Sequence, residues 1–181
     1  KNDERTSHIP IILLTARADV ESRLKGLKGG ADAYLAKPFN QKELLIRLEK
    51  LNELRRQLQA RYSTMEKQPA PASPSPEDIF MEKLRKIVEA QLGDEQFGIP
   101  ELCKAIGMSR SQLHLKIKAL TGKPTSHYIR SLRLHRSREL LKEGGLNVTQ
   151  VAFEVGFRDL SYFSRAFSEE FGHSPSDLIK G

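Results

Sequence analysis

One cysteine occurs in the 181 residues, so no intrachain disulfide framework and no cysteine-rich metal site can be built. Cys103 falls on an apolar helix face, where a small buried side chain is the ordinary role. Long hydrophobic runs are also missing. The longest, Ile9 to Leu14, is interrupted by Pro10 and is much shorter than a bilayer crossing requires. No secretory leader is visible, and the chain is expected to be cytoplasmic and to make no membrane contact. A glycine-rich phosphate loop, a His and carboxylate cluster at ligand spacing and a nucleophile with an evident base are all absent, so enzymatic function has no support in the pattern. His114, His127 and His135 are scattered along basic helices, where solvated or phosphate-facing roles are expected.

The most telling absence concerns one sign of charge. Residues 102 to 138 contain nine Lys or Arg and no Asp or Glu, although the whole chain carries a net charge of only +7. Residues 139 to 181 hold four basic and seven acidic groups. A solvated face usually mixes signs, and this block does not. Its position over a pair of predicted helices points to a nucleic acid partner rather than to a protein.

What is present is a duplication. Leu102, Cys103, Ile106 and Gly107 match Val151, Ala152, Val155 and Gly156 about 50 residues later, in two copies of a helix, a glycine turn and a second helix. Beyond the turn the offset grows by one, so Leu113 pairs with Phe163, Ile117 with Phe167 and Gly122 with Gly172. A repeat of this length is a supersecondary unit. Ser109 with Gln112 and Asn147 with Gln150 have capping-box spacing, and Asp159 can cap the second helix of the second copy. Ser174, Pro175 and Asp177 mark a final helix start, and Gly107 and Gly156 stand where the turn wants positive φ.

Upstream the pattern changes. Ile9 to Ala16 reads as a strand buried on both faces of a parallel sheet, Asp19 as the cap of a helix from Val20 to Leu27, and Ala31 to Ala36 as a second strand. Asn40 then caps a long helix from about Gln41. Two strands and two helices are a fragment of a doubly wound sheet, so further chain is expected before Lys1. In the long helix Leu44, Leu51, Leu58 and Met65 recur in sevens with Leu54 between them, while Arg47 and Arg61 take other core positions. That pattern allows either a two-stranded coil, hence a homodimer through residues 41 to 65, or a helix lying on its own domain.

The reading divides the chain into residues 1–65, a Pro-rich linker over 66–78 with prolines at 69, 71, 74 and 76, and an all-helical domain over 79–181. Ile79, Phe80, Leu84, Ile87, Val88 and Leu92 form the apolar face of that domain's first helix.

A helix-turn-helix offers the exposed face of its second helix to a major groove, where each base pair shows its own donor and acceptor pattern. Leu102, Ile106, Leu113, Ile117, Val151, Val155, Phe163 and Phe167 are core by periodicity. The exposed remainder is Arg110, Ser111, His114, Leu115 and Lys118 in the first unit, and Arg158, Leu160, Ser161, Tyr162, Ser164 and Arg165 in the second. A helix over Ser126 to Leu141 would be roughly 24 Å long and would set the units near the ~34 Å of one DNA turn. Lys104, Arg110, Lys116, Lys118, Lys123, Arg130 and Arg158 are expected on phosphates, and Arg133 and Arg136 as anchors of the connecting helix.

The stretches IPELCKAIGMSRSQLHLKIKALTGKPTSHYIRSLRLHRSRELL and NVTQVAFEVGFRDLSYFSRAFSEEFGHSPSDL resemble the AraC/XylS class of bacterial transcription regulators over about residues 79 to 180. The resemblance implies seven helices, a rigid linker helix and two reading helices on double-stranded promoter DNA. Their base-reading residues would be Ser111, His114, Leu115, Leu160, Ser161, Tyr162, Ser164 and Arg165. RNA polymerase is an expected partner. Thr15 at a strand end, Tyr34 and the run Lys37, Pro38, Phe39 resemble the C-terminal half of a two-component receiver domain. There Thr15 and Lys37 would bind an aspartyl phosphate, Tyr34 would report the switch and the Lys37–Pro38 bond would be cis. The phosphoacceptor Asp belongs to the half that this chain lacks. No cofactor and no metal is therefore expected, Mg2+ being tied to a complete receiver. The implied fold is mainly α, an all-α double helix-turn-helix domain preceded by half of a doubly wound α/β receiver. The order resembles the output end of a hybrid regulator, with a histidine kinase in cis, or a free response regulator served by a kinase in trans.

Overall fold

A computed structural model describes residues 3–16, 20–64 and 73–179, without the side chain of Arg23. Two strands, β1 (Ile12–Thr15) and β2 (Ala33–Ala36), pair in parallel with Ile12 opposite Ala33 and Thr15 opposite Ala36. Between them runs α1 (Val20–Lys28), and α2 (Gln41–Ser63) follows with Asn40 accepting the Lys42 amide at 2.8 Å. Asp19, the expected cap of α1, lies outside the described residues.

The first strand is shorter and wetter than the pattern predicts. β2 is buried at Ala33, Tyr34 and Leu35, but Leu13 and Leu14 of β1 are exposed. Among the described residues β1 has a single strand neighbour, β2. Ile9 and Pro10 stay outside the ladder, since proline has no amide to donate.

The C-terminal part contains α3 (Pro76–Glu89), α4 (Ile99–Ile106), α5 (Arg110–Thr121), α6 (Thr125–Glu143), α7 (Val148–Glu154), α8 (Leu160–Phe171) and a short 3-10 helix (Pro175–Leu178). These are seven helical segments. α3 starts three residues before the expected boundary, because Ser75 and Asp78 form a reciprocal capping box and Pro76 suits the first turn. Phe80, Met81, Leu84 and Val88 face inward, and Ile79, expected on the apolar face, is 57% exposed. The predicted caps of both units form: Ser109 with Gln112, and Asn147 with Gln150 at 2.9 Å in each direction.

Two cores result, one for each unit. The first joins Phe80, Leu84, Val88, Leu102, Ile106, Leu113, Ile117 and Leu120 to Tyr128, Ile129 and Leu132 of α6. The second joins Leu134 and Leu141 of α6 to Val151, Val155, Phe157, Phe163 and Phe167. Successive aromatic rings of α8 lie in edge or tilted contact, with Phe163 and Phe167 centroids 5.7 Å apart.

α2 makes its main packing contact with α5 of the helical domain rather than with its own sheet. Gln59 donates to the Ala119 carbonyl at 3.2 Å, Tyr62 joins the first core, and the Tyr62 hydroxyl donates to Asp78 at 2.7 Å. Arg61 pairs with the same carboxylate at 2.7 Å. Leu44, Leu51 and Leu58 are half-buried, Leu54 is 50% exposed, and Met65 lies outside the described residues.

Candidate nucleic-acid interface

Each reading helix is set by a cap at its start and a left-handed glycine just before it. Gly107 has φ +74 and Gly156 φ +78, conformations that cost an L side chain strain. The caps fix where α5 and α8 begin, and the buried residues fix their rotation. Leu113, Ile117, Phe163 and Phe167 point inward, each with 0% of its surface exposed. By helical periodicity the opposite faces point out.

Those faces carry the expected base-reading set. Ser111, Leu115, Leu160, Ser161, Tyr162 and Arg165 are exposed, Leu115 to 60%, while His114 and Ser164 are half-buried. Leu115 on the first helix and Leu160 on the second place apolar contact surface among polar groups, the chemistry that meets a thymine methyl. Arg110, Ser111, His114 and Leu115 line one wall of a concavity of about 550 Å3 closed by Pro124, Thr125 and Ser126.

The seven cations expected on phosphates fall into three groups. Lys104, Arg110 and Lys118 are exposed. Lys123, Arg130 and Arg158 reach solvent but are held within the chain: Lys123 lies 3.8 Å from Glu170, Arg130 donates to the Tyr162 hydroxyl at 3.2 Å, and Arg158 donates to the Glu95 carbonyl at 3.1 Å. Lys116 departs from the expectation. It is fully buried over the Phe80 ring at 4.1 Å and donates to the Glu4 carbonyl and to Ser7 Oγ. Burial lowers its pKa, opposed by Glu4, Glu77 and Asp3. Lys116 is therefore a packing and docking residue, not a phosphate contact. Sequence periodicity assigned it to a basic face because the segment that covers it lies more than 100 residues away.

Ser131 and the partners of Arg133 are what the sequence pattern did not single out. Arg133 donates to the carbonyls of Gly156 at 3.0 Å, Asp94 at 3.0 Å and Phe97 at 3.1 Å. Ser131, on the other side of α6, donates to Glu170 at 2.9 Å. The anchoring expected of Arg133 is present, but its partners are backbone carbonyls and carry no residue signature. The expected anchor Arg136 pairs instead with Glu139 and Glu143 of its own helix, at 2.9 and 3.3 Å. Between the units lies a cleft of about 560 Å3 that includes Phe97, His127, Arg130, Arg133, Arg158 and Tyr162 in its lining.

At the N-terminal sheet, the Lys37 amide donates to the Thr15 carbonyl at 2.7 Å, the Lys37–Pro38 peptide is cis, and Tyr34 is buried. Thr15 and Lys37 thus stand side by side at one sheet edge, as the resemblance implies. Among the described residues no group of three or more His, Cys, Asp or Glu could hold a metal ion, and no helix is long and apolar enough to cross a membrane.

Paired helix-turn-helix units behind a receiver-type sheet define a DNA-binding regulator, and comparison with known proteins agrees. Residues 102–181 match the family described as helix-turn-helix domain, and residues 2–49 match the response regulator receiver domain. A protein named histidine kinase P4 from Formosa agariphila is 37% identical over 97% of this chain, which spans only 13% of that protein's length. The solved C-terminal domain of the two-component response regulator yesN from Fusobacterium nucleatum is similar with a TM-score of 0.51 and 26% identity, covering 56% of this chain and 98% of that one. An AraC-type regulator from Chromobacterium violaceum gives a TM-score of 0.52 at 25% identity, covering 55% and 88%. The C-terminal part is thus a helix-turn-helix domain similar to those of AraC-type transcription regulators, with a receiver-type segment before it.

Proposed function

We propose that this chain is the output part of a two-component phosphorelay, a sequence-specific regulator that reads two successive major grooves of promoter DNA with α5 and α8. The observation that carries the reading is the pair of equivalent helices, each anchored by its own buried residues and each turning a face free of acidic groups outward beside basic side chains. α6 has 19 residues, or about 28 Å at 1.5 Å per residue, a span suited to one DNA turn between the units. Ser111, His114 and Leu115 of α5, with Leu160, Ser161, Tyr162, Ser164 and Arg165 of α8, contact bases. Lys104, Arg110, Lys118, Lys123, Arg130 and Arg158 contact phosphates.

The receiver segment supplies the input. Thr15 offers a hydroxyl and Lys37 an ammonium at the sheet edge, the donor set that a phosphoryl group on a neighbouring Asp requires. α2 lies on α5, with Gln59 donating to the Ala119 carbonyl, and is tied by Tyr62 and Arg61 to Asp78 at the start of α3, which gives a change at the sheet a path to the first reading helix. The phosphoryl donor is a histidine kinase and the downstream partner RNA polymerase.

A second reading concerns the larger protein. The 37% identity to histidine kinase P4 runs over 97% of this chain, which favours a kinase in cis, upstream on one polypeptide.

Salt dependence tests the DNA reading. Six phosphate contacts predict that log K falls with log salt with a slope of about −5. A slope near zero refutes the reading.

A further inference from the structure

The two units have no core residue in common. Tyr128, Ile129 and Leu132 of α6 belong to the first core, and Leu134 and Leu141 to the second. α6 is continuous across the joint, but a shared helix alone leaves each unit free to rock about its own apolar contacts. Arg133 occupies the joint itself. Its fork joins the 94–97 loop that leads into the first unit to Gly156 in the turn of the second.

The close fit around Gly156 adds to this. A Cβ at that position would stand 3.0 Å from Arg133 Cζ and 3.1 Å from Nη2, and would collide with the Leu92 carbonyl. The turn has thus been drawn against both the guanidinium and the end of the first unit's opening segment. Arg158 adds a bond from the second turn to Glu95, and Ser131 to Glu170 ties α8 to α6 about 200° around the helix from Arg133.

We infer that Arg133 is a positioning residue that sets the angle and separation of the two reading helices, and thereby the half-site spacing that the chain accepts. This rests on the two-groove reading above. One base pair inserted between half-sites shifts the second by about 3.4 Å and turns it by about 34–36° around the duplex. A joint braced through three carbonyls cannot follow such a shift without breaking hydrogen bonds. A joint lacking the fork can pivot, so the loosened protein tolerates wrong spacing while each helix still reads its own half-site.

The test uses the full chain and an operator selected from random duplexes. Binding is compared between that operator, versions with one base pair added or removed between the half-sites, and a version with the second half-site scrambled. The wild-type chain loses about tenfold or more on a one-base-pair shift, the cost of one or two misplaced base contacts. Arg133→Met retains the side-chain stem, and Arg133→Lys retains the charge and helix propensity while reaching fewer carbonyls. In both, the penalty for shifted spacing falls to about threefold or less, with the penalty for a scrambled half-site retained. Unchanged spacing ratios in a folded variant, with uniform loss on every duplex, overturn the inference. Should Arg133→Met fail to fold, Arg133→Lys decides. Indifference of the wild-type chain to the scrambled half-site overturns the two-groove reading itself, and this inference with it.

Discussion

Gly107 and Gly156 provide a matched pair in which backbone strain and steric crowding separate. Both turns hold nearly the same positive φ, +74 and +78, and Ala at either site incurs the left-handed cost of about 1–2 kcal/mol. Around Gly107 a Cβ would meet nothing within 4 Å, so Gly107→Ala should stop at that figure. Around Gly156 it would overlap the Leu92 carbonyl and press on the Arg133 guanidinium, which is itself tied to three carbonyls and cannot move without losing them. Overpacking of this kind adds about 1–3 kcal/mol, for a total of about 2–5 kcal/mol. Urea unfolding of the full chain, followed by far-UV circular dichroism, measures both variants against the wild type. Equal losses at the two sites would refute the claim that Gly156 is packed against the joint.

Four further outcomes follow from the structure. Lys116→Met should leave DNA affinity and its salt slope unchanged. Because burial lowers the folded pKa of Lys116, the unfolded chain binds more protons below 10.5, so wild-type stability gains from this group as pH rises through that window. Lys116→Met should lose that gain, as urea midpoints across pH 8 to 10 would show. Asp78 is pulled in two directions: burial raises its pKa, but hydrogen bonds from Tyr62 and Ser75 and the charge of Arg61 hold it below 3.8 overall. Its stabilisation is present above the unfolded carboxylate value and lost as pH falls through the folded one, so Asp78→Asn should flatten acid unfolding below about pH 4. Tyr62→Phe removes one hydrogen bond to Asp78 of α3, about 1 kcal/mol, and hydrogen exchange should report faster opening of α2 from the helical domain with that domain intact. Arg165→Ala should lower the ratio of specific to non-specific DNA binding by about tenfold, whereas Lys104→Ala should weaken all duplexes alike, as competition binding would show.

Local chemistry made much of the helical domain legible. The Ser109–Gln112 and Asn147–Gln150 boxes and the glycines at 107 and 156 each act within a few residues, so spacing alone located both turns. Tertiary effects were hidden for reasons that differ from residue to residue. Lys116 looked like its exposed neighbour Lys118 until a segment near Ser7 covered it. Arg133 acts on carbonyls, which every residue possesses. Ile79 stands about 100° before Phe80 around α3, off the face that Phe80, Leu84 and Val88 bury, an offset hidden by its place in an apolar run. The heptad in α2 gave the repeat but not the partner, since half-buried Leu51 and Leu58 are compatible with a coil or with a docked surface.

The proposed function requires two reading helices to engage one face of DNA together. Hydroxyl-radical footprinting of the full chain on its selected operator tests that most directly. Two protected patches on one face, centred about 10 base pairs apart, are predicted. A single patch, or two patches on opposite faces, would contradict the account.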